Sequence, residues 1–249
     1  MTKYSILIIA IVLILANFGV AQTRRNSKND TKQTLSAAIV VDDRLSLLLT
    51  SPSLYAAPIS RLRVGRRVYV KKSVEGDGVT FYQVTTSEEG DRGGYIQSEA
   101  VIGNFRRNDD QRLFSLIFAS EGFERFERTA FFVENFPNSK LIPTMLLLLG
   151  DLVEEECAKL SADAAKKLDR REMAASGAPL HSFYLSYSGL DRYRKLGVRF
   201  LFNLDTLSYH YDGATWLEIL DRFSKSSEAD EAEKRMNSLA AKMRMKSAQ

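Results

Sequence analysis

The sequence predicts a small closed β-barrel over residues 36–104, followed by an α-helical region over 108–249 that carries a short inserted β-hairpin. Three observations predict it. Between Ser46 and Ile102, apolar and polar residues alternate in short runs, the pattern of half-buried strands. After Asn104 the apolar spacing lengthens to that of amphipathic helices, with Leu113, Phe114, Ile117 and Phe118 on one face and Phe123, Phe126, Ala130 and Val133 on the next. Around residues 200–211 alternation returns briefly, in Phe200 with Phe202 and Tyr209 with Tyr211.

In the first region Val68 and Val70 point one way while Tyr69 and Lys71 point the other; Tyr82, Val84 and Thr86 likewise alternate with Phe81, Gln83 and Thr85. Turn residues separate the strands: Pro52-Ser53, Gly65, the cluster Gly76-Asp77-Gly78, and the stretch from Gly90 to Gly94. Several strands in so short a stretch favour a closed barrel, because closure removes exposed sheet edges.

Taken in order, Pro52-Ser53, Arg61-Leu62 with Gly65 and Val68-Tyr69-Val70, Phe81-Tyr82-Gln83-Val84, and Gly94-Tyr95-Ile96 resemble the bacterial SH3 family, the SH3-like barrels of extracytoplasmic and cell-envelope proteins. Leu49 and Ser51 depart from that family, which commonly has a basic residue and a glycine there, and Phe81 and Tyr95 stand where tryptophans are frequent. The resemblance implies an SH3-like β-barrel whose ligand contacts come from loops and exposed aromatics, so Tyr55, Phe81 and Tyr95 become its candidate binding residues. The acidic-aromatic signature with which eukaryotic SH3 domains take proline-rich peptides is absent, and that ligand is not implied.

The helical region divides at Pro137 and Asn138, and Pro143 suits the first turn of the helix that follows. Leu146 through Leu149 are apolar on every side, so that helix is expected to lie between neighbours. A fainter copy of the unit recurs 87 residues on, with Phe131–Ser139 aligned to Glu218–Ser226 and Met145 to Ala232. Helix, aromatic-Pro-Asn-Ser break, helix resembles the tetratricopeptide-like repeats of periplasmic envelope assembly proteins; an unrelated helical bundle has the same periodicity and stays open as the alternative. The last helix carries Ala232, Met236, Leu239 and Met243 on one stripe, as a terminal capping helix does.

Between the two copies, Asn203-Leu204-Asp205 marks the turn of the hairpin and Asp212 the N-cap of the next helix. Tyr184, Tyr187, Arg192, Tyr193, Tyr209, Tyr211 and Trp216 gather here. Rings and guanidinium groups in such company serve peptide- or glycan-recognising surfaces, which makes these seven the second set of candidate binding residues. They also serve to fill space between helices, and both readings stand at this point.

Residues 1–21 read as a signal peptide: Lys3, an apolar run from Ile6 to Ala16, and the small residues Gly19-Val20-Ala21. An uncleaved membrane anchor is the alternative. Residues 22–35 form a polar, basic linker expected to be disordered. Lys3 and this linker, with Arg24, Arg25, Lys28 and Lys32 against Asp30, account for the whole formal charge of +4. The balanced remainder argues against a nucleic-acid partner.

The lone thiol, Cys157, follows Glu154, Glu155 and Glu156 inside a helical pattern, which suits a buried apolar role and not an activated nucleophile. His181 and His210 have no partner at a metal-binding or catalytic spacing, so neither metal nor cofactor is expected. The expectation is therefore a non-enzymatic, exported binding or scaffold protein, periplasmic or extracellular. Its partner is an envelope protein or peptidoglycan, and it meets the membrane only through its leader. A Cys-His wall hydrolase and a self-associating structural protein are the alternatives.

Overall fold

Strand-forming residues and glycine-led turns build the first part of the computed structural model, which describes residues 35–87 and 93–244. The signal peptide and nearly all of the basic linker lie outside the described residues. The strands are β1 (Ser36–Val40), β2 (Leu47–Leu49), β3 (Pro58–Arg61), β4 (Arg67–Gly76), β5 (Val79–Thr85), β6 (Gly93–Gln97) and β7 (Val101–Gly103). They form one antiparallel sheet in the order β3-β2-β6-β5-β4-β1-β7.

β4 and β5 join through Asp77 and Gly78 alone, at φ 52° and 75°. That pair of positive angles is a type I′ turn, whose twist matches the strands it links. The neighbouring Gly76 leaves no room for a Cβ, which would stand 1.7 Å from the Pro52 carbonyl oxygen.

The closed barrel expected from strand number is not formed: among the described residues β3 and β7 are the two ends of the ladder, with no pairing between them. The physical reason lies in β1 and β7, which are buried on both faces. Ala38, Val40 and Val101 join the core inside the sheet, whereas Ile39, Val41 and Ile102 join the core of the helices. The β7 end of the ladder is satisfied by a helix and not by a strand. Asp109, buried at the start of α1 (Asp109–Phe118), accepts the Gly103 N–H at 3.2 Å, and Arg112 donates to the Val101 carbonyl at 3.3 Å. From Leu35 on, sheet and helices consequently form one compact unit.

The helices follow the predicted breaks. α2 (Gly122–Asn135) ends before Pro137, and α3 (Ile142–Lys167) begins with Pro143 in its first turn. α4 (Arg170–Ser176), α5 (Leu180–Leu185) and α6 (Asp191–Arg194) lead to the hairpin β8 (Phe200–Asn203) and β9 (Ser208–Tyr211). α7 (Ala214–Arg222) and α8 (Ala229–Arg244) complete the described chain. As the leucine run predicts, α3 lies between neighbours, packed by α2, α7 and β9. Asp212 serves α7 from one position earlier than expected: its carboxylate accepts the Ala214 N–H at 3.0 Å, while the N-cap is Gly213 at φ 78°.

The copy at an offset of 87 extends to backbone detail. α2 ends at Asn135 and α7 at Arg222, and α3 starts at Ile142 and α8 at Ala229. The breaks share their hydrogen bonds: Ser139 N–H to Phe136 O at 3.0 Å matches Ser226 to Phe223 at 2.8 Å, and Ile142 to Ser139 at 3.2 Å matches Ala229 to Ser226 at 3.2 Å. Phe136 and Phe223, which close the two leading helices, have near-equal φ of −123° and −130°. Two helical hairpins with one linker geometry are thus present.

α3 and α7 cross where Gly150 meets Trp216. A Cβ at Gly150 would stand 2.3 Å from the indole Nε1 and 2.8 Å from Thr215 Oγ1. Gly150→Ala gains about 1 kcal/mol of helix propensity but overpacks a rigid crossing by about 1–3 kcal/mol. A net loss of about 1 kcal/mol is expected, together with a changed emission from Trp216, the only tryptophan in the chain. Thermal unfolding followed by that emission checks it; an alanine variant more stable than the parent contradicts the close crossing.

Candidate functional site

Burial divides the ten residues proposed from sequence. Phe81, Tyr184, Tyr187, Tyr193, Tyr209, Tyr211 and Trp216 are all buried, so the expectation that they form a recognition surface is corrected: they fill the core. Four of their hydroxyls are bonded within the chain, that of Tyr187 at the surface, where its acceptor Asp163 is 42% exposed. The Tyr209 hydroxyl donates to the Tyr184 carbonyl at 2.7 Å, Tyr193 to Glu156 at 2.7 Å, and Tyr187 to Asp163; the Tyr211 hydroxyl accepts the Thr215 N–H at 2.8 Å. Burial, aided by Glu156, pushes the Tyr193 phenol up to about 12. Arg192 remains exposed and lies over the rings of Phe123 and Tyr193, each centroid 4.7 Å away.

Tyr55 is the opposite case, at 91% exposure. Its loop is nevertheless held, because Asp77 accepts the Ser53 hydroxyl at 2.6 Å and the Leu54 N–H at 2.8 Å. Leu54 and Ile59 are exposed beside it in sequence. Tyr95 is half-buried in β6, paired with Gln83 and with Leu49, the last residue of β2 before this loop.

The arrangement best suited to bind another molecule is one that sequence reading passed over. Arg61 and Arg63 follow from β3, and Arg66 and Arg67 lead into β4. A cavity of about 690 Å³ lies along β3, lined among others by Leu48, Ile59, Arg61, Arg63 and Arg66. A second, of about 340 Å³, shares Arg63, Arg66 and Thr86 with it and continues to Arg67, Glu127, Phe131 and Leu196 at the seam with the helices. Together they form an arginine-lined groove from the sheet edge to the helices. The signal was the run RLRVGRR, obscured by the balanced charge of the whole chain.

The guanidinium groups differ in how far they are neutralised. Arg67 makes a two-pronged pair with Glu134, one prong at 2.7 Å, and lies over the Phe131 ring at 5.5 Å. Arg63 meets Glu127 at 3.2 Å and is itself 69% exposed, so that pair is weak. Arg61 donates to the Asp43 carbonyl and Arg66 to the Thr86 carbonyl at 3.3 Å. Among the described residues, no carboxylate pairs with Arg61 or Arg66.

Glu127 is held against Gly65, where a Cβ would stand 1.9 Å from its Oε2. Burial raises its carboxyl above the ordinary value in spite of Arg63, so the charged form costs stability where it sits.

A second cluster joins β9 to α3. Ser208 Oγ stands 3.2 Å from His210 Nε2, and His210 Nδ1 stands 3.1 Å from Glu154 Oε1. The order of groups is that of a nucleophile, base and acid. Here, however, Lys242 also donates to Glu154 Oε1 at 2.7 Å and the Tyr211 N–H to Oε2 at 2.9 Å, so the carboxylate ties α8 and β9 to α3. Cys157 is buried and its thiol is pushed far up by burial and by Glu154, which removes it as a nucleophile.

No family model, curated protein or solved structure matches the chain. Among the described residues, no helix is long and apolar enough to cross a membrane.

Proposed function

We propose that this chain is a non-enzymatic, exported binding or scaffold protein of the cell envelope, in which an SH3-like sheet and tetratricopeptide-like helical hairpins present one arginine-lined groove to an anionic partner, an envelope protein or peptidoglycan. The observation that carries the reading is the convergence of Arg61, Arg63, Arg66 and Arg67 on a groove that crosses the seam of a single compact unit. The equal linkers of the two hairpins support the repeat reading, since each linker stacks a helix pair in the same way. The I′ hairpin and the loop anchored by Asp77 support the SH3-like reading.

Purified cell-wall sacculi test it. The protein is expected to sediment with them, and Arg63→Glu with Arg66→Glu is expected to reduce the bound fraction about tenfold at low salt, because each reversal replaces attraction by repulsion. Undiminished sedimentation of the double variant removes the groove from the reading. One observation favours a hydrolytic alternative, the Ser208-His210-Glu154 chain of hydrogen bonds. Release of soluble wall fragments that stops with Ser208→Ala would establish it in place of the binder.

A further inference from the structure

Two short helices of the second half border a space that they do not fill. α4 lines it with Arg170, Met173 and Ala174, and α5 with Leu180, Phe183 and Tyr184, each set at the spacing of one helix face. The cavity measures about 380 Å³, about two and a half times the ~150 Å³ apolar cavity that takes up benzene. Leu207, the last residue of the turn between β8 and β9, borders it too. Its φ of 49° lies where glycine or asparagine is the usual choice, so an apolar side chain is kept there at a cost to the backbone. Two polar groups of the lining are without partners. Among the described residues, no carboxylate pairs with Arg170, the one charged residue that lines the cavity. Tyr184 is 2% exposed, and its hydroxyl makes no hydrogen bond among the described residues.

We propose that this cavity binds a medium-chain fatty acid, with the alkyl chain between α4 and α5 and the carboxylate taken by Arg170 and the Tyr184 hydroxyl. The site shares no residue with the arginine groove and stands apart from that reading. Shape and charge select the occupant together. The apolar lining rewards each buried methylene, and the volume leaves room for a chain of about eight to ten carbons. An unpaired guanidinium and an unpartnered phenol require one anionic acceptor, which a carboxylate supplies through charge-assisted hydrogen bonds. A peptide segment suits the cavity less well, because its backbone amides would enter a mostly apolar space and lose water without replacement.

The test is a calorimetric titration of the full chain with decanoate, octanoate and 1-decanol. Decanoate is expected to bind, and octanoate, two methylenes shorter, to bind about tenfold more weakly. Arg170→Ala and Tyr184→Phe are each expected to weaken decanoate about tenfold. Arg170→Ala should leave 1-decanol, which has no charge to lose, unchanged. Ala174→Leu fills the cavity from an exposed position and should weaken decanoate and 1-decanol alike by about tenfold or more. Trp216 emission equal to the parent's shows that each variant is folded. Absence of decanoate binding up to about 1 mM overturns the inference. Equal affinity for octanoate and decanoate overturns burial of the chain, and binding untouched by Ala174→Leu overturns the location. Decanoate affinity unchanged in both Arg170→Ala and Tyr184→Phe, or an equal loss of 1-decanol in Arg170→Ala, overturns the assignment of the carboxylate.

Discussion

Replacing Arg128 with alanine is expected to lower the unfolding free energy by about 2–4 kcal/mol, the cost of leaving several buried acceptors without their charged donor. Arg128 is 6% exposed on α2. Its guanidinium donates to the Val41 carbonyl at 3.2 Å, the Leu116 carbonyl at 3.4 Å and the Ser120 hydroxyl, and it pairs with Glu124 at 2.6 Å. One side chain therefore holds the end of β1, the end of α1 and its own helix. Alanine would leave the Val41 and Leu116 carbonyls without this donor. Lysine keeps the charge but loses the fork that reaches several acceptors, so Arg128→Lys is expected to recover only part of the loss. Denaturant unfolding should be followed both by Trp216 emission, which reports α3 and α7, and by far-ultraviolet circular dichroism, which reports the whole fold. Parent transitions that coincide, and Arg128→Ala transitions that separate, would show that this residue couples the sheet to the helices. A loss below about 1 kcal/mol, the size of an ordinary surface contact, would refute the coupling.

The same seam explains what was legible in the sequence. Local signals were sufficient for local structure: Asp77-Gly78 specifies its turn through backbone angles that few other pairs adopt, and Pro137 with Pro143 marks a helix end and a helix start within seven residues of each other. The second hairpin has no proline in its break, yet Phe223 and Ser226 repeat the bonds of Phe136 and Ser139. It was visible only through the offset. Edge chemistry was not legible, because whether a sheet closes depends on what covers its last strand, and Asp109 and Arg112 reach β7 from a different element.

The aromatic residues of the second half show a different limit. Tyrosines and arginines at these spacings suit a surface and a core equally, and what decides is the partner of each hydroxyl. Tyr193 finds Glu156, Tyr187 finds Asp163, and Tyr209 finds a backbone carbonyl, all across distant parts of the chain. The arginine groove was hidden for the converse reason. Its arginines are close in sequence, but the wall that makes them a groove comes from Glu127, Phe131 and Leu196 in the helices. The balanced charge of residues after the linker correctly describes the whole surface and says nothing of its distribution.

Acid is expected to weaken the fold through Glu154 over a defined window. Burial alone would raise this carboxyl, but hydrogen bonds from His210, Lys242 and the Tyr211 N–H outweigh it and lower the value from 4.5 to about 2. The unfolded chain thus takes up a proton near pH 4.5 while the folded chain resists until about pH 2. The stability this group contributes is fully present above pH 4.5 and lost as the pH falls to about 2. At 1.36 kcal/mol for each pH unit it amounts to about 3 kcal/mol. Glu154→Gln should therefore be less stable than the parent at neutral pH and differ little from it near pH 2. The difference between the two curves isolates this carboxylate, because every other acid is common to both. The structural consequence is specific: Lys242 lies in the last turns of α8, so the glutamine variant should lose hydrogen-exchange protection at the end of α8 and along β9 before the sheet loosens. A constant difference between pH 2 and pH 7 would show that Glu154 acts through packing alone, and the charged tie between α3, β9 and α8 would have to be abandoned.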